Sequence, residues 1–491
     1  MSLHNNIKKG LSWNAASKLT GQIIAWGITL IVIRLLNPDD YGLMAMATVV
    51  LSVVALIGEM GMGVAIIQTS KLDQLLVRQI FGASLVFSIS VTMVITVLSP
   101  FIAYLFSEQR LTLIIQALSI QLLISAFAVV PDSLLRRDMC FRKLAVIDTV
   151  VQISSSISTI ILAYCGYGVW ALVFGSIAGQ LVRVILLYTS TKYRYWPSFK
   201  FSGFRSSALF GGQITLSRII WLVYSQADVI IVGRFFGKEA LGFYSVSIHL
   251  ASMPMNKIMS VVNQVAFPAV SLVQHQTDVW NVGIKRGIRV IAIGVFPALW
   301  GMAIVAPELI DVALGANWSP AIIPFQLVAI AIPLRMLLAF FSTTICALGR
   351  SDLDLYCTVV GFVVLLISFV IGAQWGLVGL AASWVFAVPI IFLIVMLLIG
   401  RTLKIRFLGL MKMLLNPVVA AFLMVVSVSM CRYLIMEFST PLVRLPLLVV
   451  VGSLVYVMSL ICLEPKILKE LRGSFGPIEP SRPQVSTTSS K

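Results

Sequence analysis

The chain has 491 residues, of which 59% are apolar and only 11% charged. Soluble domains carry about 25% charged residues, so a water-exposed globular fold is excluded for most of the length. The net charge of +17 does not point to nucleic acid, because the basic residues sit in short loops between apolar runs, where the positive-inside rule places them.

A bilayer-spanning helix needs roughly 20 mostly apolar residues, and fourteen such spans are predicted. They fall near 11–36, 41–67, 79–106, 111–131, 144–164, 168–188, 207–231, 240–262, 288–311, 322–345, 354–373, 376–399, 411–431 and 442–463. Runs this long predict helices, since a barrel shows alternating segments of about ten residues. Lys8 and Lys9 precede a first span that carries Lys18 and lacks a small-x-small cleavage site, so a cleavable signal is not expected. With the N-terminus inside, the inner segments hold 25 of the 36 basic residues, among them Arg136, Arg137, Arg142 and Lys143. The outer loops hold Arg110, Arg234, Lys238, Arg432 and Arg444. That asymmetry predicts cytoplasmic termini and an even number of spans.

The first span closes on RLLNPDDYG (34–42), and the seventh closes on RFFGKEALG (234–242). Residues 17–42 overlay 217–242 without a gap: Ser17, Ile31, Val32, Arg34 and Gly42 meet identical residues, and Lys18 meets Arg218. A later echo, GYGVWAL (166–172) against QWGLVGL (374–380), precedes spans six and twelve. Six spans per half is an even number, so the second half enters the membrane facing the same way as the first. The predicted architecture is therefore an all-α integral membrane protein with a parallel pseudo-repeat about an axis along the membrane normal. Residues 1–203 and 204–405 form two six-helix lobes, 406–463 two additional helices, and 464–491 a cytoplasmic tail. The end of the tail, GPIEPSRPQVSTTSSK, has a disordered composition.

A charge within a span is expensive and marks a cavity or a partner. Arg218 and Arg335 lie near the middle of spans seven and ten, too deep to snorkel, and are the first candidates for cavity cations. Lys18 and Lys257 lie about two turns from the cytoplasmic end, where snorkelling competes. Arg183 is nearer the inner surface and is expected to snorkel, while Arg34 and Arg234 are expected to anchor helices at the outer interface. Among the acids, Glu59 and Asp228 are candidate coupling or gating groups. The same 200-residue offset places Glu59 two residues from Lys257, which suggests a pair across the lobes. Asp228 has no counterpart in the first half (Ile28) and is expected either to pair with a cation on another span or to take a proton or sodium ion. Asp132 and Asp148 lie near span ends and are expected to cap helices or pair with basic loops.

Pro254, Pro297, Pro333 and Pro389 are candidate bends, and Trp26, Trp221, Tyr224 and Trp300 candidate sugar-path aromatics, although packing is the commoner role. Six cysteines without ligand spacing and three histidines without a motif predict neither a metal site nor a disulfide framework. No catalytic residue and no cofactor is expected. GANWSP (315–320) is the one outer loop with modest polar content.

The stretches SWNAASKLTG, VIRLLNPDDYGLMAMATVV and GEMGMGVAIIQ within 12–68 resemble the opening of Wzx-type bacterial polysaccharide flippases, of the multidrug/oligosaccharidyl-lipid/polysaccharide superfamily. QADVIIVGRFFGKEALGFYSVSIHLASMP (226–254) resembles the start of their second half, in the colanic-acid exporter branch. The resemblance covers about residues 1–460. It implies a transporter of the bacterial inner (cytoplasmic) membrane that moves undecaprenyl-pyrophosphate-linked glycans from the inner to the outer leaflet. The products feed exopolysaccharide, O-antigen or capsule assembly, and a polysaccharide polymerase is an implied partner. Two six-helix lobes would rock around a central cationic cavity lined by Lys18, Arg218, Lys257 and Arg335, with spans 13 and 14 as extras. Alternatives are an ion-coupled multidrug antiporter of the same superfamily, whose cavity should be more acidic, and a membrane polysaccharide polymerase, which should carry larger outer loops.

Overall fold

Backbone groups in lipid have no water to bond to, so apolar runs close their hydrogen bonds internally as helices. The computed structural model describes residues 26–59, 66, 73–191, 196–199, 226–272, 277–400, 407–435 and 440–465, and the regular structure among them is entirely helical. α1 (Trp26–Leu35) breaks before Asn37, and α2 (Pro38–Glu59) begins on a proline, where a missing N–H costs nothing. α3 (Gln74–Leu105) starts from Asp73, whose carboxylate accepts from the Leu75 N–H. α4 (Arg110–Arg137), α5 (Phe141–Tyr164) and α6 (Val169–Ser190) complete the first half.

The second half opens with α7 (Ala227–Leu272), interrupted at Gly237, whose φ of 82° is a conformation that glycine adopts without strain. Gly237 thus stands where Asn37 stands in the first half, and the repeated sequence punctuation is a repeated break between two helical segments. Then come α8 (Thr277–Ile304), the short α9 (Ala306–Ala313), a 3₁₀ turn (Ala316–Ala321), α10 (Ile322–Ala347), α11 (Ser351–Gly372) and α12 (Gly376–Ile399). α13 (Phe407–Ile435) and α14 (Pro441–Leu463) follow.

In the first half α2 lies on α4, α3 on α4, α4 on α6 and α5 on α6; in the second α7 lies on α10, α8 on α10, α10 on α12 and α11 on α12. The neighbours recur in the same chain order, which is the predicted parallel repeat. The halves meet where α2 crosses α7, while α13 rests on α8 and α14, and α14 on α9. α7, α8, α10 and α12 stay helical through Pro254, Pro297, Pro333 and Pro389. Among the described residues nine stretches are long and apolar enough to cross a membrane, one of them, Asp352–Ile399, holding both α11 and α12. The predicted count of fourteen is not reached by that measure, since α1 is short and α2 and α7 fall outside it. The predicted boundaries at 203/204 and 405/406, and the tail beyond 465, lie outside the described residues.

The main apolar core is made mostly by the second half with α13, α14 and the α2–α7 crossing, and it extends to α3, α4 and α6 through Ile95, Ile114, Ile115 and Val173. Smaller clusters serve the first half, such as Ile66 with Ile80 and Phe81. Exposed aliphatic side chains stud the outside of α3, α5 and α14, as expected when the solvent is hydrocarbon and the apolar face need not be hidden.

Candidate functional site

Two arrangements stand out, a seam between the halves and a buried polar chain inside the second half. The seam is reciprocal. A Cβ on Gly42 would collide with the carbonyl of Lys238, and a Cβ on Gly242 would collide with the carbonyl of Pro38. Positions 38 and 42 therefore meet 242 and 238, the pairing a twofold axis requires. Glycine is needed at both points because the backbones touch, as small residues allow at close helix crossings.

Around this crossing the same end of the bundle is closed by side chains. Trp318, buried within the GANWSP turn, meets Tyr41 edge-on at 5.7 Å between ring centroids and Phe243 at 5.9 Å. Lys238 Nζ lies 2.8 Å from Glu108 and 3.7 Å from Asp39. Arg34 donates to the Val312 carbonyl at 3.2 Å, and Arg234 donates to Ser107 Oγ at 2.7 Å. The two arginines expected to anchor helices in the interface instead bond across to the other half.

The buried chain starts at Asp228, in the first turn of α7 and only 4% exposed. Its Oδ1 accepts from the Val229 N–H at 2.9 Å, and its Oδ2 accepts from the Tyr244 hydroxyl at 2.9 Å. That hydroxyl in turn accepts from Trp384 Nε1 at 2.9 Å. The Arg335 guanidinium stacks over the Trp384 ring, 4.1 Å from its centroid, and lies within electrostatic reach of Asp228. Carboxylate, phenol, indole and guanidinium from α7, α10 and α12 thus form one connected polar element in a low-dielectric setting, where such chains reinforce each other. Arg335 is held against an aromatic face, a contact that guanidinium makes well.

The remaining candidates divide by where they fall. Lys18 and Arg218, like Trp221 and Tyr224, lie outside the described residues. Lys257 sits in α7 and Glu59 ends α2, but their side chains lie outside the described set, and so does the suggested pair between them. Trp300 donates to the Ile330 carbonyl at 3.3 Å and meets Phe296 edge-on, a packing role between α8 and α10. Among the described residues no group of three or more acidic, histidine or cysteine side chains could hold a metal ion.

Two ion clusters escape a reading by span position. Arg183 does not reach outward; its guanidinium bridges Asp148 at 2.8 Å and Asp132 at 2.9 Å, and Arg136 shares Asp132 at 2.5 Å. At the seam end of the second half Glu308, 2% exposed, lies 2.9 Å from Arg432 and 3.5 Å from Arg444. Its Oε2 is buried without a hydrogen-bond partner among the described residues. The cluster ties α9 to both α13 and α14. At the other end Arg289 pairs with Glu464, and Tyr456 donates to the Ile293 carbonyl at 2.7 Å, which fixes α14 on α8. The signal for Glu308 was an acid at the outer end of a span, opposite two arginines assigned to outer loops.

Residues 31–323 match the family model described as "Polysaccharide biosynthesis protein". The chain is 24% identical over 480 residues to an uncharacterized membrane protein in the cps region of Klebsiella pneumoniae, covering 97% of this chain and 99% of that one. It is 24% identical over 473 residues to the succinoglycan biosynthesis transport protein ExoT of Rhizobium meliloti, covering 95% and 94%. Among solved structures, the lipid II flippase MurJ in an inward closed conformation superposes with a TM-score of 0.74 at 14% identity, covering 92% of this chain and 99% of MurJ. At that identity the likeness shows the fold.

Proposed function

The chain belongs to the polysaccharide biosynthesis protein family, and from that premise we propose that it is a flippase. It moves undecaprenyl-pyrophosphate-linked oligosaccharide repeat units from the inner to the outer leaflet of the bacterial cytoplasmic membrane. Both termini lie in the cytoplasm, and a polysaccharide polymerase takes the product. It is a transporter and not an enzyme: the work is translocation, and every bond of the substrate survives it.

The observation that carries this reading is the reciprocal seam. Two halves related by a twofold axis and joined at one end are the geometry of a machine that rocks. In the orientation predicted by the positive-inside rule the seam closes the outer side. A pyrophosphate cannot enter hydrocarbon alone, because burying an unpaired charge costs many kcal/mol. Arg335, with Lys18, Arg218 and Lys257, supplies the replacement for water, arginine by bidentate hydrogen bonds and lysine as a point charge. The isoprenoid tail remains in lipid. Asp228 and Glu59 are the groups through which a proton or sodium gradient would bias the rocking. Asp228 is joined by its hydrogen-bond chain to Trp384 on α12, over whose ring Arg335 of α10 stacks.

The test uses cells deleted for the gene with the upstream assembly steps intact. An undecaprenyl-pyrophosphate-linked repeat unit should accumulate in the inner leaflet. The wild-type gene should clear it, and Arg335→Ala should not. Normal arrival of the unit in the outer leaflet of deleted cells would overturn the proposal.

A further inference from the structure

α5 forms the flank of the first half. It lies on α6 and, to a smaller extent, on α4; its last turns share an apolar cluster with Val32, Leu36 and Tyr41, and its first turns lie at the opposite end of the helix. Between its first turns and the last turns of α6 is a cavity of about 400 Å³, within the size range of small-molecule sites. Arg142 and Lys143 stand exposed at its rim, buried Ile147 forms its floor, and Val150, Leu186 and Ser190 line its sides. Val146 lines it too, and beyond it Ile153, Ile157 and Ile161 remain exposed at helical spacing, so one apolar stripe runs from the cavity along α5. Asp148, the nearest acid on the helix, is turned to Arg183.

We propose that this groove is a binding site for an anionic glycerophospholipid, with the phosphate between Arg142 and Lys143 and an acyl chain on the α5 stripe. The inference rests on the proposed function only for its orientation, which puts both cations at the inner leaflet. Two cations and no acid line the cavity among the described residues. A phosphate that carries net negative charge is therefore favoured over a zwitterion, whose amine would face those same cations. Basic pockets between membrane helices on the cytoplasmic side are suited to such lipids. The groove fits the lipid-linked glycan less well, because it lies on the flank and not where the halves part.

Native mass spectrometry of the full chain in detergent, titrated with phosphatidylglycerol and separately with phosphatidylcholine, tests the site. The wild type should prefer phosphatidylglycerol, and Arg142→Ala/Lys143→Ala should weaken that lipid about thirtyfold while leaving phosphatidylcholine unchanged, given the usual strength of a cation near an anionic lipid. The exchange Arg142→Lys/Lys143→Arg should keep the preference. Equal phosphatidylglycerol binding by wild type and the double alanine variant would overturn the proposal. So would undecaprenyl phosphate that displaces phosphatidylglycerol and is itself lost in that variant, since the groove would then belong to the carrier. Binding is read without translocation, so a failed flipping assay and a failed lipid titration are separate results.

Discussion

Gly42→Ala is the sharpest probe of the seam. The added methyl would overlap the Lys238 carbonyl and lie 3.0 Å from its Cα, whereas real Cβ atoms essentially never approach closer than 3.0 Å. Backbone cannot rotate out of the way as a side chain can, so α2 and α7 must part by roughly 1 Å. Overpacking of this kind costs about 1–3 kcal/mol, and here the cost falls only on the state with the seam closed. A penalty of about 2 kcal/mol moves a two-state equilibrium roughly thirtyfold toward the parted form. Spin labels at Gln109 and Asn317, exposed and on opposite halves, report the change by pulsed electron resonance. A cysteine-free background is practical because Cys140, Cys165, Cys346, Cys357, Cys431 and Cys462 are all free thiols.

The long-distance population should grow in Gly42→Ala and equally in the mirror variant Gly242→Ala. Gly294→Ala, where an added Cβ meets nothing within 4 Å, should leave it unchanged. Wild-type distances in Gly42→Ala would refute the idea that backbone contact holds the seam.

Lys238→Glu places three carboxylates together with Glu108 and Asp39 and should open the same end, while Lys238→Glu/Glu108→Lys should close it again; the spin-label distances decide. The effect should be modest and should shrink in high salt, because exposed pairs are worth about 0.2–1 kcal/mol. Glu308→Gln leaves Arg432 and Arg444 facing each other without their counter-charge and should destabilise the protein by about 3–5 kcal/mol. Its melting temperature in detergent should fall further than that of Arg432→Gln, which leaves one charge on each side, and melting at the wild-type temperature would refute the reading of the triad.

What could be read from the sequence follows from what a bilayer allows. Long apolar runs have no stable option but the helix, and lysine and arginine placement orders them. The repeat was legible in Arg34/Arg234 and Gly42/Gly242, although its physical reason was not. Only the folded chain shows that each glycine meets the other half's position 38 or 238. Depth is read from position along a span, but azimuth is not, and azimuth decides partners. Arg183 has the depth of a snorkelling residue yet faces Asp132 and Asp148. Tyr244 lies on the same helix as Asp228, but Arg335 and Trp384 are separated from it by two and four helices in sequence, and no local period connects them. Arg34 and Arg234 were placed correctly at helix ends, but the same end is where the halves touch, so their donors find protein before they find headgroups.

The place where the two halves part is set by which contacts are cheap to break. At the α2–α7 seam, close Cα–H···O approaches contribute about 0.5–1 kcal/mol each. The Tyr41–Trp318 ring pair, the one of the two Trp318 pairs that crosses between the halves, adds about 0.5–1.5 kcal/mol beyond its buried area. The Lys238–Glu108 pair is partly exposed on both sides and never becomes a stranded charge when it opens. Separating α14 from α9 is different, because Glu308 would leave two guanidiniums in a buried setting, where losing a partner costs about 3–5 kcal/mol. The bundle should therefore part along α2–α7 while α13 and α14 travel with the second half. Asp228, Tyr244, Trp384 and Arg335 all lie on one side of that line, so the polar chain is a fixture of a single lobe and not a lock between lobes. An ion bound at Asp228 would then act through α7 itself, whose break at Gly237 lies nine residues away and directly beside the contacts that close the seam.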